Sequence, residues 1–253
     1  MPTAVITGAS AGLGRALATS LAERGWNLVV DARRPDRLFR LADELGRSCQ
    51  LRAIAGDVGD GEHRRRLAEA VTEFGSLDLL VNNASTLGPS PLPPLTELAA
   101  DQLTDILRVN LVAPLALIQL SLPALTAAGG GAGGSVVNLS SDAAVAHYPG
   151  WGGYGCAKAA LDHLSATLAE ENPGLRWYSF DPGDMRTEMH QAAFPGEDIS
   201  DRPAPESVVP ALLRLIDSRP PSGRYTSTAP ELAPVSGGSA NPELASTVQE
   251  MPR

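Results

Sequence analysis

Seven short apolar, β-branched runs alternate with longer stretches of helical spacing, and this alternation constrains the fold more than any other feature of the chain. The runs lie at 3–7 (TAVIT), 27–32 (NLVVDA), 51–55 (LRAIA), 78–82 (DLLVN), 134–139 (GSVVNL), 175–180 (LRWYSF) and, more weakly, 223–227 (GRYTS). Helical spacing spans 12–24, 35–46, 60–74, 96–127, 152–171 and 205–218; in 152–171, Ala157, Ala160, Leu161, Leu164 and Leu168 mark a buried face. Strands joined through helices pair in parallel, and continuous apolar runs fit burial on both faces of a sheet. The expected fold class is α/β, a doubly wound, seven-stranded and mostly parallel sheet flanked by helices on both faces.

Three segments break the rhythm. Gly129–Gly134 (GGGAGG) reads as a flexible connector, and 184–204 is too long for a plain connection and suits a substrate lid. From 229 to 253 the composition turns to Pro, Ser, Gly, Ala and Glu, an extended or disordered tail, which leaves one domain over 1–228. A core of that size needs no metal or disulfide, and the two cysteines, Cys49 and Cys156, lack metal-ligand spacing. The net charge of -9 argues against a nucleic-acid partner, and Arg64–Arg66 reads as a solvated helix face. The apolar segment 111–122 is broken by Pro114, Gln119 and Ser121 and is too short to span a bilayer, and no leader pattern opens the chain. A soluble, cytoplasmic protein without a membrane partner is the expectation.

Directly after the first strand comes Thr7-Gly8-Ala9-Ser10-Ala11-Gly12-Leu13-Gly14. Glycines there let the backbone turn tightly and approach a pyrophosphate held at the following helix N-terminus. This turn, together with Asp57-Val58 after the third strand, Asn82-Asn83-Ala84 after the fourth and Pro182-Gly183 followed by Thr187, resembles the short-chain dehydrogenase/reductase family. The resemblance covers roughly 3–228 and implies a Rossmann-type fold. It also implies cofactor contacts from Gly8, Ser10, Gly12, Leu13, Gly14, Asp57, Val58, Asn83, Ala84, Pro182, Gly183, Met185 and Thr187. Ser85 departs from the family's Asn-Asn-Ala-Gly pattern, and a side chain there narrows the space beside the cofactor.

The second strand ends Val30-Asp31-Ala32-Arg33-Arg34. By similarity the NAD-selecting acid would align with Ala32, so Arg33, backed by Arg34, stands where a 2′-phosphate is held, and NADP(H) is the expected cofactor. The competing reading makes Asp31 the selector for NAD(H).

Tyr154 and Lys158 lie four residues apart on one helix face. A phenol titrates near about 10, and a nearby ammonium can favour its ionised form, which makes the pair a proton donor and its tuner. Tyr154 follows Ser141 by 13 positions, the family's serine-to-tyrosine interval, and Lys158 is the only lysine in a chain with 20 basic residues. A compact ammonium that must reach both a ribose hydroxyl and a proton chain cannot be exchanged for a guanidinium. Ser140 competes with Ser141 by sequence alone, and the interval favours Ser141. Asn110 lies mid-helix, where asparagine is a poor helix former; the resemblance implies that it holds a relay water.

The resemblance also places Ala143, Tyr148, Trp151, Met185, Met189 and Phe194 around a small-molecule substrate, with His147 and His190 nearer the surface. The implied activity is interconversion of a neutral carbonyl and a secondary or primary alcohol. The alternatives are a non-catalytic NADP(H)-binding sensor or scaffold, and a sugar-nucleotide epimerase or dehydratase. A homodimer through 96–127 and 152–171 is expected; a tetramer is in doubt because the glycine pair common after the family's last strand is missing.

Overall fold

The computed structural model describes residues 1–228, so the expectation for the 229–253 tail lies outside the described residues. Seven strands form one sheet: β1 (Thr3–Ile6), β2 (Asn27–Ala32), β3 (Leu51–Ala55), β4 (Leu79–Asn82), β5 (Ser135–Leu139), β6 (Arg176–Asp181) and β7 (Gly223–Thr226). Their order is β3-β2-β1-β4-β5-β6-β7, and every pairing is parallel. The helices are α1 (Gly12–Glu23), α2 (Pro35–Leu45), α3 (Gly61–Thr72), α4 (Ala100–Leu107), α5 (Ala113–Thr126), α6 (Gly152–Glu171), α7 (Glu188–Ala193) and α8 (Val209–Ser218).

Strand alternation divides the interior into two cores. Ala4 and Ile6 of β1 face a cluster with Leu17 and Leu21 of α1, Leu38 and Leu41 of α2, and Leu212 and Leu215 of α8. Between them, Val5 faces the other side, with Leu67 of α3, Leu117 of α5, Val136 and Trp177. Both sheet faces are therefore covered, which is why the strands are apolar throughout. β1 and β4 are neighbours although the chain departs from them in opposite directions, and ligands bind beyond the carboxyl ends of strands at such a reversal.

The long helix expected over 96–127 is interrupted. A π-helical turn, Arg108–Val112, separates α4 from α5. The whole run Ala100–Thr126 is long and apolar enough by length and composition to cross a membrane, a longer unit than the 12-residue segment considered from sequence. Here it packs against α3, α6 and the sheet. The glycine run before β5 is also more than a flexible connector. A Cβ on Gly134 would lie 2.5 Å from the Leu77 carbonyl oxygen, so its close approach to the chain before β4 requires glycine.

Candidate active site and cofactor cleft

A cleft of about 690 Å³ opens beyond the carboxyl ends of β1, β2 and β4. Gly8 and Gly12 turn with positive φ, 69° and 55°. Gly14 packs so closely that a Cβ there would lie 2.4 Å from the Asn83 Nδ2. Asn83 in turn donates to the carbonyls of Thr7 (2.8 Å) and Gly8 (3.2 Å), while the Thr7 Oγ1 accepts from the Asn83 and Ala84 N–H groups. The glycine turn and the segment after β4 are thus one hydrogen-bonded unit.

Helix α1 starts with no side-chain cap and no acidic residue in its first turn. Its orphan N–H groups and positive dipole end face the cleft that Ser10, Gly12 and Leu13 line, a cradle suited to a pyrophosphate. Asp57, Val58 and Ala84 line the same cleft.

Asp31 does not compete for a ribose. Its carboxylate is 2% exposed and accepts from the Gly8 N–H (2.7 Å) and the His63 Nε2 (2.9 Å). The side chain points inward and pins the glycine turn, which removes the NAD-selector alternative. Arg33 and Arg34 are exposed at the cleft; Arg34 pairs with Glu188 of α7 at 2.7 Å, Arg37 pairs with the same carboxylate, and Arg33 has no ion-pair partner among the described residues. These guanidinium groups fit the extra phosphate of NADP(H).

A second, smaller cavity of about 100 Å³ adjoins the cleft, with Ser141, Trp151, Tyr154, Pro182, Gly183 and Met189 among its lining. Tyr154 and Lys158 project from α6, 9% and 2% exposed, with the Lys158 Nζ 5.4 Å from the centre of the Tyr154 ring. The ammonium donates to the Leu139 carbonyl at 2.6 Å. Burial lowers its pKa to about 8, against a smaller opposing pull from Asp162.

Burial acts the other way on Tyr154 and pushes the phenol well above its ordinary range. The neighbouring Ser85 and Ser141 hydroxyls pull it down, and the Asp181 and Asp142 carboxylates push it up. Among these influences desolvation is the largest.

Ser140 and Ser141 both line the smaller cavity with Tyr154, but their hydroxyls are engaged differently. The Ser140 hydroxyl is committed to Asp162 at 2.8 Å. The Ser141 Oγ donates to the Asp142 Oδ1 at 2.9 Å and accepts from the Ala143 N–H at 3.2 Å. Arg224 of β7 braces the region by donating to the Ser141 carbonyl (2.9 Å), Asp181 (2.9 Å) and Asp162 (3.1 Å).

Asn110 sits in the π-helical turn, 1% exposed. Its Oδ1 accepts from the Ser85 hydroxyl (3.1 Å) and the Thr86 N–H (2.9 Å), and its Nδ2 donates to the Thr86 carbonyl (2.8 Å). Pro114, four residues on, has no N–H for the Asn110 carbonyl, so the ordinary i+4 helical bond is missing here.

The residues expected on the substrate side fall in different places. Trp151, Met185 and Met189 line the smaller cavity, but Ala143, Tyr148 and Phe194 are not among its lining residues. Ala143 is buried against Tyr154, Tyr148 is exposed with its hydroxyl on Asp142 (2.9 Å), and Phe194 stacks behind Trp151 and His190. His147 is exposed as expected, whereas His190 lines the cavity. Asp142, Asp181, Asp184 and Leu87 also contribute and were missed, since nothing local in the sequence aims them at Tyr154.

A parallel sheet with a glycine-turn cleft, two guanidinium groups at its rim and a buried tyrosine–lysine pair beside it defines a dinucleotide-dependent oxidoreductase. Comparison with known proteins agrees: the family model for short chain dehydrogenases matches residues 2–198, and the chain belongs to that family. Sepiapterin reductase from Meriones unguiculatus is 38% identical over 200 residues, 75% of this chain and 76% of the relative. Serine 3-dehydrogenase from Agrobacterium fabrum is 36% identical over 193 residues, 74% and 73% of the two chains. A short chain dehydrogenase from Shigella flexneri 2a, solved with NADP, superposes with a TM-score of 0.83 at 29% identity, covering 90% of this chain and 97% of that one.

Proposed function

We propose that the protein interconverts a carbonyl compound and a secondary or primary alcohol with NADP(H), Tyr154 acting as general acid and base. The observation that carries this reading is the buried phenol, set beside Lys158 and sharing with Ser141 the lining of a small cavity that adjoins the cofactor cleft.

The residues would hold the cofactor from end to end: Arg33 and Arg34 at the 2′-phosphate, the turn from Gly8 to Leu13 at the pyrophosphate, and Pro182, Gly183, Met185 and Thr187 at the nicotinamide, with Lys158, buried behind Tyr154, at the ribose. When bound, the reduced nicotinamide supplies a hydride to the carbonyl carbon. Ser141 orients the carbonyl oxygen by hydrogen bonding, and Tyr154 gives that oxygen its proton. A phenol held above its ordinary range keeps its proton until the oxygen gains negative charge, which suits reduction. Lys158, whose charge is retained below about pH 8, then stabilises the phenolate. Asn110, in the π-helical turn, holds the water that returns a proton. Segment 184–204 closes the substrate side as a lid.

We also infer a homodimer through 96–127 and 152–171; Val112 and Leu120 on the first of these are 50% and 41% exposed.

A panel of aldehydes and ketones, followed by loss of NADPH absorbance, tests the activity. Tyr154→Phe should lower kcat by about 10²–10⁴-fold while NADPH still binds. Unchanged turnover in that variant would overturn the mechanism, and NADPH binding without turnover of any panel member would favour a sensor.

A further inference from the structure

His63 projects from the first turn of α3, 3% exposed, behind residues that line the cofactor cleft. Two segments of that lining, the glycine turn after β1 and Gly56–Asp57 after β3, meet on this one imidazole. We propose that His63 is a positioning residue for the dinucleotide, holding both segments in register through Asp31 and Gly56. The proposal rests on the assignment of the cleft to NADP(H).

Towards the glycine turn the link is a chain of hydrogen bonds. The His63 Nε2 donates to the Asp31 Oδ2 at 2.9 Å, and the Asp31 Oδ1 accepts from the Gly8 N–H at 2.7 Å. The Asp31 backbone carbonyl accepts from the next amide, Ala9, at 2.8 Å. The start of the turn is thereby fastened to the end of β2, which leaves Ser10 to Leu13 to line the cleft at the start of α1. A carboxylate with a donor on each oxygen is fixed in orientation; held by the Gly8 N–H alone, it could swing about that single bond. Towards β3 the link is packing. A Cβ on Gly56 would lie 2.2 Å from the His63 Nδ1, so the chain after β3 lies directly against the ring. Gly56 also donates to the Ala32 carbonyl at 3.0 Å and leads into Asp57 and Val58 of the cleft lining.

Stability alone does not account for an imidazole at this place. Its Nδ1 is buried with no hydrogen-bond partner among the described residues, and an unpaired buried polar atom is a cost to the fold. Leu67, one turn further along α3, is fully buried in a cluster with Val5, Val71 and Leu117 and carries no polar atom to satisfy. A leucine at position 63 would likewise remove the orphan nitrogen, but the Asp31 Oδ2 would lose its donor. What the histidine adds is that donor, and through it the geometry of the turn that receives a pyrophosphate.

The test is a titration of NADPH fluorescence, which needs no substrate, beside thermal unfolding of the same proteins. His63→Leu should raise the NADPH Kd about tenfold, the weight of one hydrogen bond to a charged group. Where His63→Leu does not fold, His63→Met, a more adaptable apolar filler, carries the same expectation. His63→Gln, whose amide nitrogen sits at the same bond count from Cβ as the imidazole Nε2, should bring the Kd back to within about twofold of wild type. Leu67→Ala should lower the melting temperature at least as much as His63→Leu and leave NADPH binding unchanged. An unmoved Kd in His63→Leu, a His63→Gln no better than His63→Leu, or an equal loss of NADPH affinity in Leu67→Ala would overturn the proposal. So would a His63→Leu that gained NADH affinity as it lost NADPH affinity, since the freed Asp31 would then have turned to the ribose. A wild type that bound no NADPH would instead overturn the assignment of the cleft, and the proposal with it.

Discussion

Lys158 takes its charge into an interior where the Leu139 carbonyl is its hydrogen-bond partner, and burial brings its pKa down to about 8. Between that value and the ordinary lysine pKa of about 10.4, the unfolded chain binds more protons than the folded one. Stability from this residue therefore rises with pH across the window, because a cost present below pH 8 is relieved. Tyr154, with its raised pKa, works in the opposite sense only above the ordinary phenol value of about 10. Lys158→Met should be more stable than the wild type at pH 7, by about 1–3 kcal/mol, with the difference shrinking between pH 8 and 10. Urea unfolding at several pH values checks this; a gap that is constant with pH would show that the ammonium bears no such cost. The same substitution should remove activity, so the residue trades stability for chemistry.

At the scale of elements, the π-helical turn between α4 and α5 ties sequence to chemistry most closely. Proline in a helix interior costs about 3 kcal/mol relative to alanine, and Pro114 leaves the Asn110 carbonyl without its usual donor. Pro114→Ala supplies that donor. It should lower kcat by about tenfold through loss of the water site, with the denaturation midpoint unchanged or raised. A fall in both would point instead to damaged packing. Asn110 was legible in sequence as a poor helix former, and Pro114 as an interruption. Their i, i+4 relation, however, gains meaning only with the helix in place. The seven strands were legible because each is a continuous apolar run buried on both faces. Helix α7 was not, since its six residues include none that is buried and so present no apolar stripe. Asp31 could not be separated from a ribose ligand until its pairing with His63, 32 residues away, was seen. Arg224 and Ser85 act on groups 83 and 25 residues away, Ser141 and Asn110, at separations no local pattern encodes.

Across the whole molecule, the chain reversal between β1 and β4 makes the cleft, and the segment after β6 lines one side of it. Helix α7 meets the two ligand spaces in succession. The Thr187 side chain lies 3.4 Å from where a Cβ on Gly12 would be, and Glu188 pairs with Arg34 and Arg37, before Met189 and His190 reach the smaller cavity. One wall of that cavity is therefore a segment whose base rests on the cofactor cleft. A carbonyl compound arriving first would meet a space still open on its nicotinamide side. Association should consequently be compulsory-ordered, NADPH entering first and NADP⁺ leaving last. In steady-state product inhibition, NADP⁺ should compete with NADPH, and the alcohol should be non-competitive against it. An alcohol that competed with NADPH would show that the two compartments fill independently. The Thr187–Gly12 contact thus gives the molecule a timetable as well as a shape.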